Sequence, residues 1–227
     1  RRVLFRSKTR IYGTDNPELT FVFSGFAPGE SLASSDITGD LDISTTATIN
    51  SPAGSYPIVL SQGSLYSNNY VFNIVSSTLR ITKAPLTIIA ENKSKIYGSA
   101  NPPLTVNYMG FMNGETLATS GITGSPSVTT TATMSSGVDL YDIVVQKGNL
   151  SSVNYDFNFI SGSLIVKKAM LTVTADSKTK FYGQDNPALT YSSSGFVNNE
   201  SAASGVIYGA PVLATSALST SDVGVYP

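Results

Sequence analysis

Cysteine, histidine and tryptophan are absent from the 227 residues. Without histidine there is no Ser-His-Asp triad, no imidazole general base and no histidine metal ligand. Without cysteine there is no thiolate nucleophile, no disulfide and no structural zinc site of the usual kind. Charge is scarce as well: 13% of residues are Asp, Glu, Lys or Arg, against about 25% in ordinary globular domains. Hydroxyls supply the polarity instead, with 57 Ser plus Thr. These absences argue against an enzyme, and we expect no catalytic residues, no metal and no cofactor. A mechanical or adhesive role is the expectation.

The formal net charge is −1, from 14 basic and 15 acidic residues. Arg1, Arg2 and Arg6 crowd the start; beyond them 11 basic residues face 15 acidic ones. A mildly acidic surface repels polyanions, so nucleic acid is a poor partner. The longest basic run is Lys167-Lys168, too short for a membrane or nucleic-acid patch. No uninterrupted apolar stretch approaches the ~18 residues of a membrane helix, so no membrane insertion is expected of this chain.

What the chain does have is a repeat. Tyr12-Gly13 recurs as Tyr97-Gly98 and Tyr182-Gly183, and Asn16-Pro17 as Asn101-Pro102 and Asn186-Pro187, each time 85 residues on. Gly25-Phe26, Gly110-Phe111 and Gly195-Phe196 keep the spacing, as do Glu30, Glu115 and Glu200. Residues 8–84 laid on 93–169 give 37 identities in 77 positions without a gap. A fixed long period of this kind marks a tandem array. We divide the chain into residues 1–7, read as a non-native N-terminal remnant; 8–84, a first repeat with its first strand missing or altered; 85–169, a complete repeat; and 170–227, a third repeat truncated on its C-terminal side.

Within the complete repeat the hydrophobic period is two. Leu86, Ile88 and Ala90 alternate with Thr87 and Ile89, as a half-buried strand requires. Further strands are expected over 104–108, 127–134 and 141–145, with Tyr155, Phe157 and Phe159 alternating inward and a Ser161-Gly162 hairpin leading to Leu164-Ile165-Val166. Asn113-Gly114 is a strong turn signal, because both residues tolerate positive φ. After it, Leu117, Ala118 and Ile122 predict one or two helical turns over 115–122. The expected fold is mainly β, a β-rich α+β: tandem β-grasp-like units of about five strands and one short helix. Immunoglobulin-like β-sandwich repeats are the alternative. Joints between repeats span about three residues, Lys83-Ala84-Pro85 and Lys167–Ala169, and Pro85 stiffens the first. Linkers this short predict an end-to-end rod, each repeat adding roughly 30–40 Å.

The phrase Lys95-Ile96-Tyr97-Gly98-Ser99-Ala100-Asn101-Pro102-Pro103-Leu104-Thr105 is followed by Gly110-Phe111-Met112-Asn113-Gly114-Glu115. Later come Tyr141-Asp142-Ile143 and Asn154-Tyr155-Asp156-Phe157. Together these motifs, in order and three times over, resemble the MBG domain of the YGX type, a tandem module of large bacterial surface proteins. The resemblance implies a β-grasp-like extracellular module in adhesin-like proteins, at the cell surface, with no catalytic residues. The implied role is a stalk or spacer projecting an adhesive domain, its partners the neighbouring repeats of the same chain. The alternative is that the repeats bind host or community glycans or mucins multivalently.

The recurring Tyr-Gly and Asn-Pro are read as structural: Gly supplies a positive φ, Asn-Pro opens a turn, and Tyr caps the core. Ala100 stands where Asp15 and Asp185 sit, and no D-x-D-x-D-G loop exists, which counts against calcium. Glu30, Glu115 and Glu200 are expected to start the short helix and complement its dipole. Lys93, Asn154 and Glu115 are the ingredients of an intramolecular isopeptide bond, an idea kept behind the reading that all three are solvated. Tyr66 and Tyr208 lack a Tyr in the other repeats and are the candidate exposed aromatics for ligand binding.

Overall fold

The computed structural model describes residues 2–5 and 7–227, with side chains from Ser7 onward. The fold is mainly β. The first repeat contains β1 (Arg2–Phe5), β2 (Lys8–Ile11), β3 (Phe21–Ser24), β4 (Asp42–Thr45), β5 (Gly54–Ser61), β6 (Asn73–Ile74) and β7 (Ser77–Thr82). The second contains β8 (Ala84–Ala90), β9 (Lys93–Ile96), β10 (Val106–Met109), β11 (Ser127–Thr130), β12 (Leu140–Gln146), β13 (Tyr155–Ile160) and β14 (Gly162–Lys167). The third contains β15 (Thr172–Ala175) and β16 (Tyr191–Ser194). A repeat therefore has seven strands where the residue pattern suggested about five.

Each of the first two repeats forms two sheets. A three-stranded sheet has the order β3-β1-β6 or β10-β8-β13, and a four-stranded sheet the order β2-β7-β5-β4 or β11-β12-β14-β9. Both sheets mix parallel and antiparallel pairs: β8 runs antiparallel to β10 and parallel to β13. Arg2–Phe5 pairs with β3 in the register that Thr87–Ala90 keeps with β10, so the stretch read as a remnant occupies the first-strand position.

Two expectations are corrected. The Ser161-Gly162 hairpin does not form, because β13 and β14 belong to different sheets. Only Ser161 separates them, fewer than the two residues that the shortest common hairpin loop needs, so the chain crosses from one sheet to the other. The helix over 115–122 is also absent, and with it the element a β-grasp packs across its sheet. Local hydroxyls compete for the backbone there. The Thr116 amide donates to Thr119 Oγ1 at 2.8 Å, the Ser120 hydroxyl donates to the Leu117 carbonyl at 3.1 Å, and Gly121 ends the segment at φ 67°. The equivalent segments of the other repeats reach only a single 3-10 turn, Leu32–Ser34 and Ala202–Ser204.

By contacts the chain divides into two compact units that do not follow the repeats. One comprises Arg1–Glu91, Thr105–Thr129 and Val144–Gly162; the other comprises Asn92–Leu104, Thr130–Ile143 and Ser163–Pro227. In the first unit, one core lies inside the first repeat around Leu41, Leu60 and Leu65. The larger core is shared: Ile58, Leu79 and Ile81 from the first repeat's four-stranded sheet meet Ala84, Leu86 and Tyr155 from the second repeat's three-stranded sheet. Each large aliphatic side chain buried there contributes about 1.5–3 kcal/mol. The joint is shorter than expected, since β7 ends at Thr82 and β8 starts at Ala84. In the second unit, Ile143, Leu164 and Val166 are buried.

Candidate functional site at the repeat junction

The recurring motifs converge at the shared core, within the first unit. Tyr12 follows β2, and its ring is buried in that core, 3% exposed. Its phenol donates to Glu115 Oε1 at 2.5 Å, and the phenol of Tyr155, 1% exposed, donates to Glu115 Oε2 at 2.5 Å. One half-buried carboxylate thus bridges two tyrosines, one from each repeat. The Met112 amide donates to the Tyr155 hydroxyl at 2.9 Å, completing its hydrogen bonding. The rings are edge-on to one another, Tyr12 to Tyr155 at 5.7 Å between centroids and Phe111 to Tyr155 at 5.9 Å. Such pairs add about 0.5–1.5 kcal/mol beyond the area they bury. Burial, reinforced by the hydrogen bond to Glu115, pushes the Tyr155 phenol up to about 12; the same causes raise Tyr12.

The helix-dipole role expected for the recurring glutamates is therefore replaced by a tyrosine-bridging one. Glu30 accepts from Tyr70, the position equivalent to Tyr155. In the second unit Glu200 accepts from Tyr97 at 2.5 Å. The Tyr of one repeat reaches the Glu of the next in both cases, a separation of 103 residues.

The glycine after each tyrosine has two reasons to be there. Gly13 adopts φ 76°, and a Cβ built on it would lie 2.4 Å from Met112 Cβ. Gly98, at φ 83°, would come 2.5 Å from Val197 Cβ. Met112 and Val197 occupy the same place in successive repeats, after Phe111 and Phe196. Gly183 keeps φ 79° but has nothing within 4 Å. Only Gly combines a positive φ with such an approach at no steric cost. Gly110 ends β10 at φ 106°.

Asn16, Asn101 and Asn186 donate from Nδ2 to the carbonyls of Ala47, Ala132 and Ala217, at 2.7, 2.5 and 2.6 Å. They fasten the turn opened by Pro17, Pro102 and Pro187 to a loop 31 residues away. A recurring cation does parallel work. Arg10 Nη2 donates to the Thr48 carbonyl, Lys95 Nζ to Thr133 and Lys180 Nζ to Leu218. Sequence reasoning overlooked this cation, although it stands two residues before Tyr-Gly in every copy.

The isopeptide ingredients have other partners. Glu115 holds the tyrosines, Asn154 Oδ1 accepts from the Ala53 amide at 3.0 Å, and Lys93 lies on β9 opposite Leu164. Among the described residues no three His, Cys, Asp or Glu side chains converge as metal ligands. Tyr66 and Tyr208 are not at the junction. Tyr66, 58% exposed, forms a backbone bridge to Thr38; Thr123 and Ser151 make the same bridge one repeat later. Tyr208, 94% exposed, stands at the position of Thr38 and Thr123. Both candidate aromatics thus belong to one recurring place whose backbone fold does not need a ring.

No curated protein and no solved structure matches the chain. The MBG domain (YGX type) family matches residues 2–80, 86–165 and 171–227, almost the whole length in three consecutive copies. With its Tyr-Gly motif repeated at each match, the chain belongs to the MBG domain (YGX type) family as a tandem array of three repeats.

Proposed function

We propose that the chain is a non-catalytic, extracellular repeat module of a bacterial surface protein, a stiff spacer that projects an adhesive domain from the cell. The observation that supports this reading is the shared core: Leu79, Leu86, Tyr12 and Tyr155 belong to one buried cluster although they come from two repeats. Swivelling one repeat against the next would expose that cluster and break both phenol bonds to Glu115. A one-residue joint between β7 and β8 removes the remaining slack. Stiffness of this kind needs neither disulfides nor metals.

Small-angle scattering on arrays of increasing repeat number tests it. The maximum dimension is expected to grow by roughly 30–40 Å per repeat, without the flexibility signature of a Gly/Ser tether. Growth as the square root of repeat number would overturn the spacer reading.

A second reading is supported by the Tyr66 loop. The Asp36 carboxylate accepts from the Ser67 hydroxyl at 2.6 Å and the Asn68 amide at 2.8 Å, bonds that hold its pKa below the usual carboxylate range. The loop is thus pre-shaped, with the exposed Tyr66 hydroxyl donating to Asn68 Oδ1 at 2.7 Å. An aromatic face beside a carboxamide suits a sugar ring, so the repeats are also proposed to bind glycans or mucins weakly and multivalently. Mucin binding that rises with copy number and falls in Tyr66→Ala supports this reading; equal binding by the variant removes it.

A further inference from the structure

The third repeat carries a slot that the first two repeats fill. In the first repeat β7 lies between β2 and β5, with Leu79 and Ile81 buried. In the second, β14 lies between β9 and β12, with Leu164 and Val166 buried. The central strand runs parallel to its edge neighbour in one register, Leu79 opposite Lys8 and Leu164 opposite Lys93. No counterpart of β7 and β14 is among the 227 residues, because that position would fall 85 residues beyond β14.

In its place the second unit has an open cleft of ≈510 Å³. One wall is Lys178–Tyr182, the counterpart of β9 and its tyrosine; the other is 221–227, which includes the counterpart of the start of β12. Neither wall is assigned as strand, whereas β9 and β12 are. The walls are nonetheless held in place. Lys180 Nζ bonds the Gln184 and Leu218 carbonyls at 3.0 and 2.6 Å, and Asn186 Nδ2 bonds the Ala217 carbonyl at 2.6 Å, as their counterparts do in the complete repeats. Apolar surface is left facing solvent beside it, with Phe181 79% exposed.

We propose that this cleft is a β-augmentation site for an extended polypeptide segment with the pattern Leu-x-Val/Ile. The segment inserts parallel to Lys178–Phe181, its Leu opposite Lys178 and its Val or Ile opposite Lys180. Backbone bonds along the wall supply affinity and the two apolar side chains supply register, as in strand addition generally. The occupant is assigned by the two repeats in which the same position is filled, both times by this pattern. A second folded copy cannot donate it, since its own β7 and β14 are buried in their sheets.

The test uses the 227-residue chain and a labelled synthetic peptide of residues 161–169, followed by fluorescence anisotropy and by amide shifts in NMR. Saturable one-to-one binding is expected, with shifts concentrated at Lys178–Tyr182 and Val223–Tyr226. A peptide carrying Leu164→Asp and Val166→Asp is expected to bind at least about tenfold more weakly. Absence of saturable binding, equal binding of both peptides, or shifts confined to other residues would each overturn the proposal.

Discussion

Tyr12 and Tyr182 open the same motif, with the same glycine behind them at φ 76° and 79°. Yet Tyr12 is 3% exposed and Tyr182 66%. Both asparagines, Asn16 and Asn186, reach the same carbonyl 31 residues on, and both cations reach theirs. The motif's conformation is therefore a local property, complete within one repeat. Its burial is supplied from outside by the Phe111-Met112 turn and Glu115 of the following repeat, which the third copy does not have on this chain. A Tyr-Gly motif is half of a joint, folded in advance of its partner.

That contrast can be broken most severely in the shared core. Leu86→Ala is expected to cost about 2–5 kcal/mol, for lost transfer energy and a cavity among rigid neighbours. Leu171→Ala, at the equivalent position but partly exposed, should stay within about 1 kcal/mol. Urea unfolding of the two variants gives the comparison directly; similar losses would mean that the third repeat has its own equivalent core.

The glycine pair separates backbone strain from crowding. Gly13→Ala meets both the left-handed backbone penalty, about 1–2 kcal/mol, and the overlap with Met112, for a total near 3 kcal/mol. Gly183→Ala meets only the first. A matched pair of denaturation curves should show Gly13→Ala as the more damaging by at least about 1 kcal/mol.

Removing one phenol is a smaller change. Tyr12→Phe deletes a hydrogen bond to a half-buried carboxylate and is expected to cost about 1.5–3 kcal/mol, while Tyr182→Phe should be nearly silent. Hydrogen exchange at the Ala84 and Leu86 amides would report the loosening of the joint. Unchanged protection in Tyr12→Phe would show that packing alone holds it.

Alkaline pH gives the gentlest probe. A buried phenol whose pKa is raised to about 12 favours folding while it stays protonated. The stabilisation is complete below the unfolded value of about 10 and is lost as pH rises through about 12. Unfolding between those limits should follow phenolate absorbance of Tyr155. Tyr155→Phe should remove that step from the pH profile, although it is less stable at neutral pH.

The strand pattern was readable in the chain because it is local. Leu86, Ile88 and Ala90 fall on the buried face of β8, and Ile143 and Val145 on that of β12, as period-two alternation requires. Asn113 and Gly114 take the positive φ expected of their turn. The helix over 115–122 was misread because apolar spacing was weighed without the hydroxyls of Thr116, Thr119 and Ser120. The hairpin at Ser161-Gly162 was misread because adjacency in sequence was taken for adjacency in a sheet.

The junction was illegible for a more general reason. In a chain of period 85, every offset is defined only to within a multiple of 85. Tyr12 stands 18 residues before Glu30 and 103 before Glu115, and composition, turns and alternation are the same for both choices. Residue pattern settles which segments are strands, where they turn, and that Tyr, Gly, Asn and Glu recur together. Only the packed chain decides that the carboxylate bonded to Tyr12 is Glu115, because sheets from successive repeats close over one core. That choice is made by shape and buried area, which a periodic sequence does not encode residue by residue.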